Sequence, residues 1–296
     1  MSSSKKYKYS ETFFSAQGEG KYTGVPSLWI RFFLCNLQCD GFGQEDPTDP
    51  STYELPYKEL DVSGIERVED LPVFDKGCDS SYTWAKKYRH LMRDKTISEI
   101  ADELESLLPG GKFKHPVTGV WNHMVFTGGE PMLNQQAMYE LLDEFRQRDN
   151  MPRYVTIETN GTVPLTEYGV KAIRMIISQW NPGGEWFWSI SPKLWSVAGE
   201  KPDKAICPDV IQDYSIKSQD GQLKFVVDGS ERAWSEVDHA INQIRCSNFE
   251  KWVMGIGGTY EGLIVKEADI ADQAIQRGYN YSTRAHVHIY GNAIGK

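Results

Sequence analysis

The sequence lacks any apolar run long enough to cross a membrane. A spanning helix needs about 18 to 20 consecutive apolar residues, and the longest candidate, PSLWIRFFL, is interrupted by Arg31. The first ten residues, MSSSKKYKYS, carry positive charge but no apolar segment follows them, so they do not match a secretory signal. We therefore expect a soluble cytoplasmic protein that does not associate with a membrane.

The chain also lacks the positive charge of a nucleic-acid-binding protein. It has 32 basic and 41 acidic residues, a net charge of −9, whereas a protein that grips phosphates presents a basic face. Residues 40–77 alone hold eleven acidic and three basic residues, so most of the excess lies in this segment. We expect no direct contact with nucleic acid, although a small anionic substrate can still bind elsewhere.

Cysteine is scarce and irregularly spaced. The five cysteines are at positions 35, 39, 78, 207 and 246. An odd number without regular spacing, in a chain of 296 residues, does not fit a disulfide framework. Reduced thiols, some of them metal ligands, fit better.

Apolar runs bounded by glycine, proline or asparagine predict the strands. They are residues 27–34, 123–129, 153–161, 185–191, 223–229, 251–255 and 285–292. Helices are predicted between them: one follows the capping box of Thr96 and Glu99, a second follows Asn134, and others span about 168–179, 231–245 and 265–277. From about residue 120 onward this alternation predicts a mainly parallel sheet, in which ligands bind at the carboxyl ends of the strands.

One segment breaks this pattern. Residues 40–77 contain four prolines, four glycines and the excess of acid. This composition is typical of an inserted loop or a small subdomain. We call residues 40–77 the acidic insert and expect residues 1–296 to form a single domain that carries it.

The first three cysteines suggest a metal site. Cys35 and Cys39 follow the first predicted strand, and Cys78 lies beyond the acidic insert. Thiolate ligands select iron–sulfur clusters or zinc. Spacing alone leaves three interpretations open: a three-cysteine cluster with one open iron, a structural zinc completed by a histidine such as His90, or small buried apolar residues.

A glycine-rich motif, GGEP at residues 128–131, follows a predicted strand and precedes a helix. Glycine lets bare backbone approach a ligand, although GGEP alone is only a turn. Together with CxxxC it resembles the radical S-adenosylmethionine superfamily. The resemblance implies that the open iron chelates S-adenosylmethionine, that the GGE strand end holds the cofactor's amine, and that reductive cleavage yields a 5′-deoxyadenosyl radical.

Flanking motifs narrow the resemblance. SAQGEG, CDSSYTW, VFTGGEP, IETNGT, ISPK and RAHVHIYGN occur in order between Glu11 and Asn292, and this order is similar to that of the 7-carboxy-7-deazaguanine synthase family. The resemblance implies a carbon–nitrogen lyase that converts 6-carboxy-5,6,7,8-tetrahydropterin to 7-carboxy-7-deazaguanine with loss of ammonia, in queuosine-type deazapurine biosynthesis. It also implies an incomplete TIM-like (β/α) barrel, a homodimer, Mg²⁺ and an electron donor such as flavodoxin.

The resemblance assigns roles to individual residues. The ligands of a 4Fe-4S cluster would be Cys35, Cys39 and Cys78. The S-adenosylmethionine site would be formed by Gly77, Cys78, Asp79, Gly129, Glu130, Ser191, Pro192 and Lys193. The substrate would be contacted by Ala16, Gln17, Gly18, Glu19, Arg31, Thr127, Glu158 and His286.

Two kinds of alternative accompany these assignments. Ser80 stands where the family has a threonine that binds Mg²⁺, and a serine keeps the hard oxygen ligand; a helix N-cap is the other interpretation. Glu158 can instead brace a sheet end, and His286 can be a structural histidine on a strand.

Two departures from the family pattern stand out. Between Cys39 and Cys78 lie 38 residues, where the family normally has two, and Gly255, Ile256 and Gly257 replace a common proline and polar residue. Cys207 and Cys246 match no motif and are expected to be structural. Two rival functions stay open: an activase that makes a glycyl radical in a partner protein, and a non-enzymatic zinc protein.

Overall fold

The computed structural model describes residues 5–180, 183–218 and 220–296. Within these ranges nine strands are β1 (Lys6–Ala16), β2 (Pro26–Phe32), β3 (Arg93–Thr96), β4 (His123–Gly128), β5 (Tyr154–Thr159), β6 (Glu185–Ile190), β7 (Gly221–Val227), β8 (Glu250–Gly255) and β9 (Asn280–Tyr281). The helices are α1 (Pro56–Glu59), α2 (Ile97–Leu107), α3 (Gln135–Gln147), α4 (Glu167–Gln179), α5 (Trp195–Ala198), α6 (Pro202–Ala205), α7 (Pro208–Lys217), α8 (Glu231–Ile244), α9 (Tyr260–Gln276) and α10 (Ala285–Tyr290). None of them is long and apolar enough to span a bilayer.

The strands form one sheet in the order β3-β1-β2-β4-β5-β6-β7-β8-β9. All neighbours from β2 to β9 are parallel, while β1 runs antiparallel to both β2 and β3. The edge strands β3 and β9 do not pair with each other, so the barrel is open. The prediction of an α/β fold with a mainly parallel sheet and an incomplete barrel is confirmed.

Alternation along the strands separates the core from the interior of the barrel. On β7, Leu223, Phe225 and Val227 are buried in the main apolar core, together with residues of the surrounding helices. Lys224 and Val226 point to the opposite, inner face, where they line a cavity. Because successive side chains of a strand point to opposite faces, a polar residue within an apolar strand is delivered to the barrel interior.

Most predicted elements are present, with shifted ends. The capping box is formed: the Thr96 hydroxyl accepts from the Glu99 amide at 3.3 Å, and the Glu99 carboxylate accepts from the Thr96 amide at 2.8 Å. The strands β1, β3 and β9 and the helices α1, α5, α6 and α7 were not predicted. The mixed charged and aromatic sequence of β1, KYKYSETFFSA, obscures its period.

The prediction of a strand at residues 285–292 is wrong. Residues Ala285–Tyr290 form α10, and Gly291 ends it in the left-handed conformation with φ of 64°. The sequence HVHIY alternates as a strand does, but only Val287 of this helix is buried. A short helix with one buried residue has no helical periodicity to detect.

The acidic insert packs on the segment that follows it. Tyr57, Val68 and Phe74 bury their side chains against Tyr82 and Tyr88 in a small apolar cluster separate from the main core. The Tyr88 hydroxyl donates to the carbonyl of Tyr57 at 2.6 Å. The insert therefore has its own apolar anchor on the body of the protein.

Candidate active site

A cavity of about 280 Å³ opens inside the barrel at the carboxyl ends of the parallel strands. Strand residues such as Arg31, Thr127 and Glu158 form its wall. Residues 72–75 of the acidic insert and residues 292–296 add a second wall opposite the strands. The location is the one expected for ligands of a parallel α/β sheet.

Three cysteines meet beside this cavity. Cys35, Cys39 and Cys78 share one small apolar pocket with Leu37 and Phe42. Burial raises the pKa of Cys35 to about 11 and of Cys78 to about 12, and it raises the pKa of Cys39 well above its usual value. Thiolates in this pocket therefore need a bound cationic centre to compensate their charge.

The glycine motif touches the first cysteine. Strand β4 ends at Gly128, and a Cβ added to Gly129 would lie 2.8 Å from Cβ of Cys35 and 2.3 Å from the carbonyl oxygen of Leu34. The Glu130 amide donates to the same Leu34 carbonyl at 2.8 Å. We call residues 35–39, which carry Cys35 and Cys39, the cysteine loop. Only glycine allows the end of β4 to approach this loop so closely.

A network of charged side chains lines the cavity, and all of them except the partly exposed Asp79 have little exposure. Arg284 donates from Nε to Oε1 of Glu19 at 3.0 Å, from Nη2 to Oδ2 of Asp79 at 2.8 Å, and from Nη1 to the carbonyl of Gly257 at 2.5 Å. Lys224 donates to the other oxygen of Glu19. Burial alone would raise the pKa of Glu19, but Lys224 and Arg284 hold it well below its usual value, so Glu19 is ionised.

Glu158 receives a second set of hydrogen bonds. Gln17 donates from Nε2 to Oε1 of Glu158 at 3.2 Å, and the Thr127 hydroxyl donates to Oε2 at 3.3 Å. The amide oxygen of Gln17 in turn accepts from the backbone amides of Gly18 at 2.7 Å and Glu19 at 3.1 Å. This arrangement orients the turn 17–19 toward the barrel interior.

Arg31 reaches the cavity from β2. Its Nε donates to Oε1 of Glu11 at 2.6 Å, and the Tyr82 hydroxyl donates to the same oxygen at 2.9 Å. Both Arg31 and Tyr82 line the cavity. Glu11 is thus a buried support that holds the guanidinium in place.

His286 lies on α10 and faces the turn at Gly18. A Cβ on Gly18 would lie 2.0 Å from Nδ1 of His286, so only glycine fits there. Burial, together with the nearby Arg284, lowers the pKa of His286 to about 4. The ring is therefore neutral at neutral pH and can donate or accept one hydrogen bond at each nitrogen.

Comparisons with known proteins bear on this site. Residues 67–167 match a family model described as a 4Fe-4S single cluster domain. The chain is 26% identical to the 7-carboxy-7-deazaguanine synthase of Rhodopirellula baltica over 297 aligned residues, covering 97% of this chain and 87% of the relative. It is also 26% identical to the enzyme of that name from Halobacterium salinarum, covering 96% and 90%.

The chain is thus similar to proteins named 7-carboxy-7-deazaguanine synthase. The crystal structure of QueE from Escherichia coli has the same fold, with a TM-score of 0.54, 17% identity and 95% coverage of both chains. The similarity extends over nearly the whole chain, as the order of the sequence motifs predicted.

Most residues predicted for a family site do line the cavity. They are Ala16, Gln17, Gly18, Glu19, Arg31, Gly77, Asp79, Ser80, Thr127, Gly129, Glu158, Ser191, Lys193 and His286. Pro192 does not line it, and the three cysteines lie beside it. The roles of these residues stay predictions, because their positions show proximity and not binding.

Glu130 has a different position from the one predicted. It is fully buried and does not line the cavity. Its carboxylate accepts from the Met132 amide at 2.9 Å, the Thr159 hydroxyl at 2.7 Å and the Asn160 amide at 2.8 Å. These bonds tie the end of β4 to the end of β5, so the assignment of Glu130 to the cofactor has no support from this geometry.

Lys224 and Arg284 were missed by sequence reasoning. Both are basic side chains with little exposure, 5% and 11%, in the middle of the site. A signal for Lys224 is present: a lysine interrupts LKFVV, and a buried lysine requires a partner. Arg284 precedes the wrongly predicted strand, so its direction could not be inferred.

The residues present fit an iron–sulfur cluster of the family better than a single zinc ion. Among the residues that the structure describes, no three His, Cys, Asp or Glu side chains converge on one ion site. A four-iron cluster takes one thiolate for each iron, so its ligands stand farther apart than those of one ion. His90, the proposed zinc ligand, faces the carbonyls of Lys87 and Ile65 instead.

Proposed function

We propose that this chain is a 7-carboxy-7-deazaguanine synthase, which converts 6-carboxy-5,6,7,8-tetrahydropterin to 7-carboxy-7-deazaguanine and ammonia. The observation that carries the proposal is one cavity that contains the glycine end of β4 and a set of charged side chains, with the three cysteines directly beside it. The similarity to enzymes of this name over nearly the whole chain supports it. The alternative, an activase that makes a glycyl radical in a partner protein, does not explain the hydrogen-bonded networks around Glu19 and Glu158.

When bound, a 4Fe-4S cluster and S-adenosylmethionine would supply the radical that activates the substrate. Cys35, Cys39 and Cys78 would hold the cluster. Gly77, Asp79, Gly129, Ser191 and Lys193 would line the S-adenosylmethionine site; Lys193 donates to the hydroxyl of Ser191 at 3.0 Å. The cluster needs one electron from outside the chain, and a donor such as flavodoxin would supply it.

The chain's own side chains would orient the pterin. Glu19 is held ionised and can accept hydrogen bonds from ring N–H groups, and Glu158 offers a second acceptor. Arg31 would pair with the substrate carboxylate, because a guanidinium matches a carboxylate in planar geometry. Neutral His286 would act as a hydrogen-bond partner and not as a cation.

Ser80 would hold Mg²⁺. Its hydroxyl donates to Oδ1 of Asp79 at 3.2 Å and lines the cavity. Although Ser80 precedes the short helical turn Ser81–Thr83, its side chain makes no capping hydrogen bond, so the N-cap alternative has no support. We expect Ser80→Ala to weaken the stimulation of turnover by Mg²⁺, and Ser80→Thr to retain it; equal Mg²⁺ titration curves for all three proteins would remove Ser80 from the metal site.

The decisive experiment is turnover of the anaerobically reconstituted, reduced protein. With 6-carboxytetrahydropterin, S-adenosylmethionine and Mg²⁺, we expect 7-carboxy-7-deazaguanine in the product analysed by mass spectrometry, and none when S-adenosylmethionine is omitted. An intact cluster without product would contradict the proposed reaction. A colourless protein with one zinc per chain would contradict the cluster itself.

Three further points belong to the proposal. Residues 1–296 would act as one domain with the acidic insert, since the insert packs on the body through Tyr57 and Phe74. A homodimer is inferred from the resemblance to the family, and sedimentation analysis would test it. A cytoplasmic location agrees with five free thiols among the residues that the structure describes.

A further inference from the structure

The loop that carries the first two cluster cysteines contains a strained backbone. Cys39 has φ of 55°, in the left-handed region that favours glycine. Glycine cannot replace it, because the site needs a thiol. A non-glycine residue keeps this conformation only when its surroundings impose it, since such strain costs on the order of 1 kcal/mol or more.

Glu200 helps to hold Cys39 in this backbone conformation. A single oxygen of its carboxylate, Oε1, accepts from the backbone amides of Gln38 at 2.6 Å and Cys39 at 2.8 Å. The other oxygen pairs with Lys204 at 3.2 Å. Glu200 is only 6% exposed, so these charge-assisted bonds are shielded from water.

The backbone around Glu200 fits the cysteine loop closely. The Gly41 amide donates to the carbonyl of Ala198 at 3.1 Å, and a Cβ on Gly41 would lie 2.5 Å from the nitrogen of Gly199. Gly199 itself has φ of 73° and closes α5, which directs the next residue, Glu200, toward the loop. Residues 198–200 and 38–41 thus form one tight contact.

We propose that Glu200 is a positioning residue for the iron–sulfur cluster: it holds the Cys35–Cys39 loop in its ligand conformation through the amides of Gln38 and Cys39, and its charge makes the cluster harder to reduce. The inference rests on the cluster assignment in the proposed function. It also explains why a carboxylate lies beside thiolates that carry charge of the same sign. The hydrogen bonds require the oxygen, and the negative charge lowers the reduction potential.

Two variants separate the two effects. Glu200→Ala leaves both amides without their acceptor, and we expect the reconstituted cluster to be lost to a chelator roughly tenfold faster, as for other supports of metal ligands. In the apo protein the same variant should show faster hydrogen exchange at the Gln38 and Cys39 amides. Glu200→Gln keeps an oxygen acceptor and removes the charge, so it should keep the cluster and raise its midpoint potential.

A matched control is available on the same side of the protein. Glu236 also accepts from a backbone amide, that of Ser196 in α5, at 3.1 Å, but it does not bond the cysteine loop. Glu236→Ala should retain the cluster lifetime of the parent chain. The proposal is overturned if Glu200→Ala keeps the parent lifetime, if Glu236→Ala shortens it equally, or if the potential of Glu200→Gln does not rise.

The readouts also distinguish this inference from the proposed function. A parent chain that assembles no cluster would refute the cluster assignment, whereas a parent with a cluster and insensitive Glu200 variants would refute only the role of Glu200. If Glu200→Ala does not fold, the potential of Glu200→Gln decides alone. None of these measurements depends on the pterin substrate.

Discussion

Removing Arg284 tests the charge network at the centre of the site. Its side chain is 11% exposed, and its three nitrogens each bond a different acceptor, on Glu19, Asp79 and Gly257. Arg284→Met has a similar length and fills most of the volume. It leaves Asp79 without its cationic partner and Glu19 with only Lys224. The perturbation is therefore electrostatic and not a cavity.

The magnitude follows from burial. Removing one partner of a fully buried ion pair costs about 3 to 5 kcal/mol, because the other charge stays desolvated. Here Glu19 keeps Lys224 as a partner and Asp79 is 36% exposed, so the lower end, about 3 kcal/mol, applies. For a chain of 296 residues, this corresponds to a melting temperature about 5 °C lower in the apo protein. Arg284→Lys restores the charge but reaches fewer acceptors, so it should recover only part of the loss.

The effect has a defined pH dependence. The pKa of Glu19 lies well below its usual value in the folded state. Its contribution to stability is therefore present above the unfolded pKa and is lost as the pH falls. The difference between the parent and Arg284→Met should be constant near neutral pH and narrow below about pH 4.

Thermal melting followed by circular dichroism measures the effect, and the KM for the pterin provides a second readout. We expect KM to rise about tenfold or more with unchanged iron content, because Glu19 is no longer held in one orientation. Lys171→Met, which breaks an exposed pair with Glu167, should change stability by less than about 1 kcal/mol. Equal melting temperatures and equal KM for Arg284→Met and the parent would refute the reasoning.

Three other perturbations have clear expected outcomes. Cys78→Ala should lose the cluster in iron and sulfide analysis, whereas Cys207→Ala should retain it; identical results would show that the third ligand is misassigned. Gly18→Ala places a Cβ 2.0 Å from Nδ1 of His286 and should raise the KM for the pterin without loss of iron; an unchanged KM would show that the ring moves away freely. His123 is buried with its pKa lowered to about 4, so the unfolded state binds its proton first as the pH falls. Its contribution is lost between about pH 6.5 and pH 4, and His123→Phe should reduce the loss of stability between about pH 7.5 and pH 5 by about 2 kcal/mol in urea titrations; an unchanged loss would contradict this.

The parallel strands were predictable because their sequences obey a local rule. Runs such as HMVFT are buried on both faces, as strands of a helix-covered sheet are, and glycine motifs mark their ends. Helix α10 was mistaken for a strand since six residues with one buried side chain carry no period. Strand β1 was missed because polar and charged residues interrupt the apolar pattern of its sequence, KYKYSETFFSA.

The site was predictable where its residues belong to motifs, and less so where a role depends on long-range contact. Glu19 and Glu158 lie in QGEG and IETNG, which the family resemblance identifies. The partners of Glu19 are Lys224 on β7 and Arg284 in the turn before α10, both more than 200 residues away along the chain. Glu130 lies in a motif too, but hydrogen bonds to the end of β5 turn it away from the cavity.

The 38 residues between Cys39 and Cys78 illustrate why spacing in sequence was a weak guide to this site. The acidic insert leaves and returns at one point: the Gly77 amide donates to the carbonyl of Phe42 at 2.7 Å, and Gly43 packs on the backbone of Asp75. Closing such a loop, compared with one of two residues, costs about 2 to 3 kcal/mol in chain entropy. Burial of two or three large side chains, at roughly 1.5 to 3 kcal/mol each, offsets that cost, and Tyr57 and Phe74 are among those buried. Since backbone contacts join the two ends of the insert, Cys78 returns to the same apolar cluster as Cys35 and Cys39 despite the long separation in sequence.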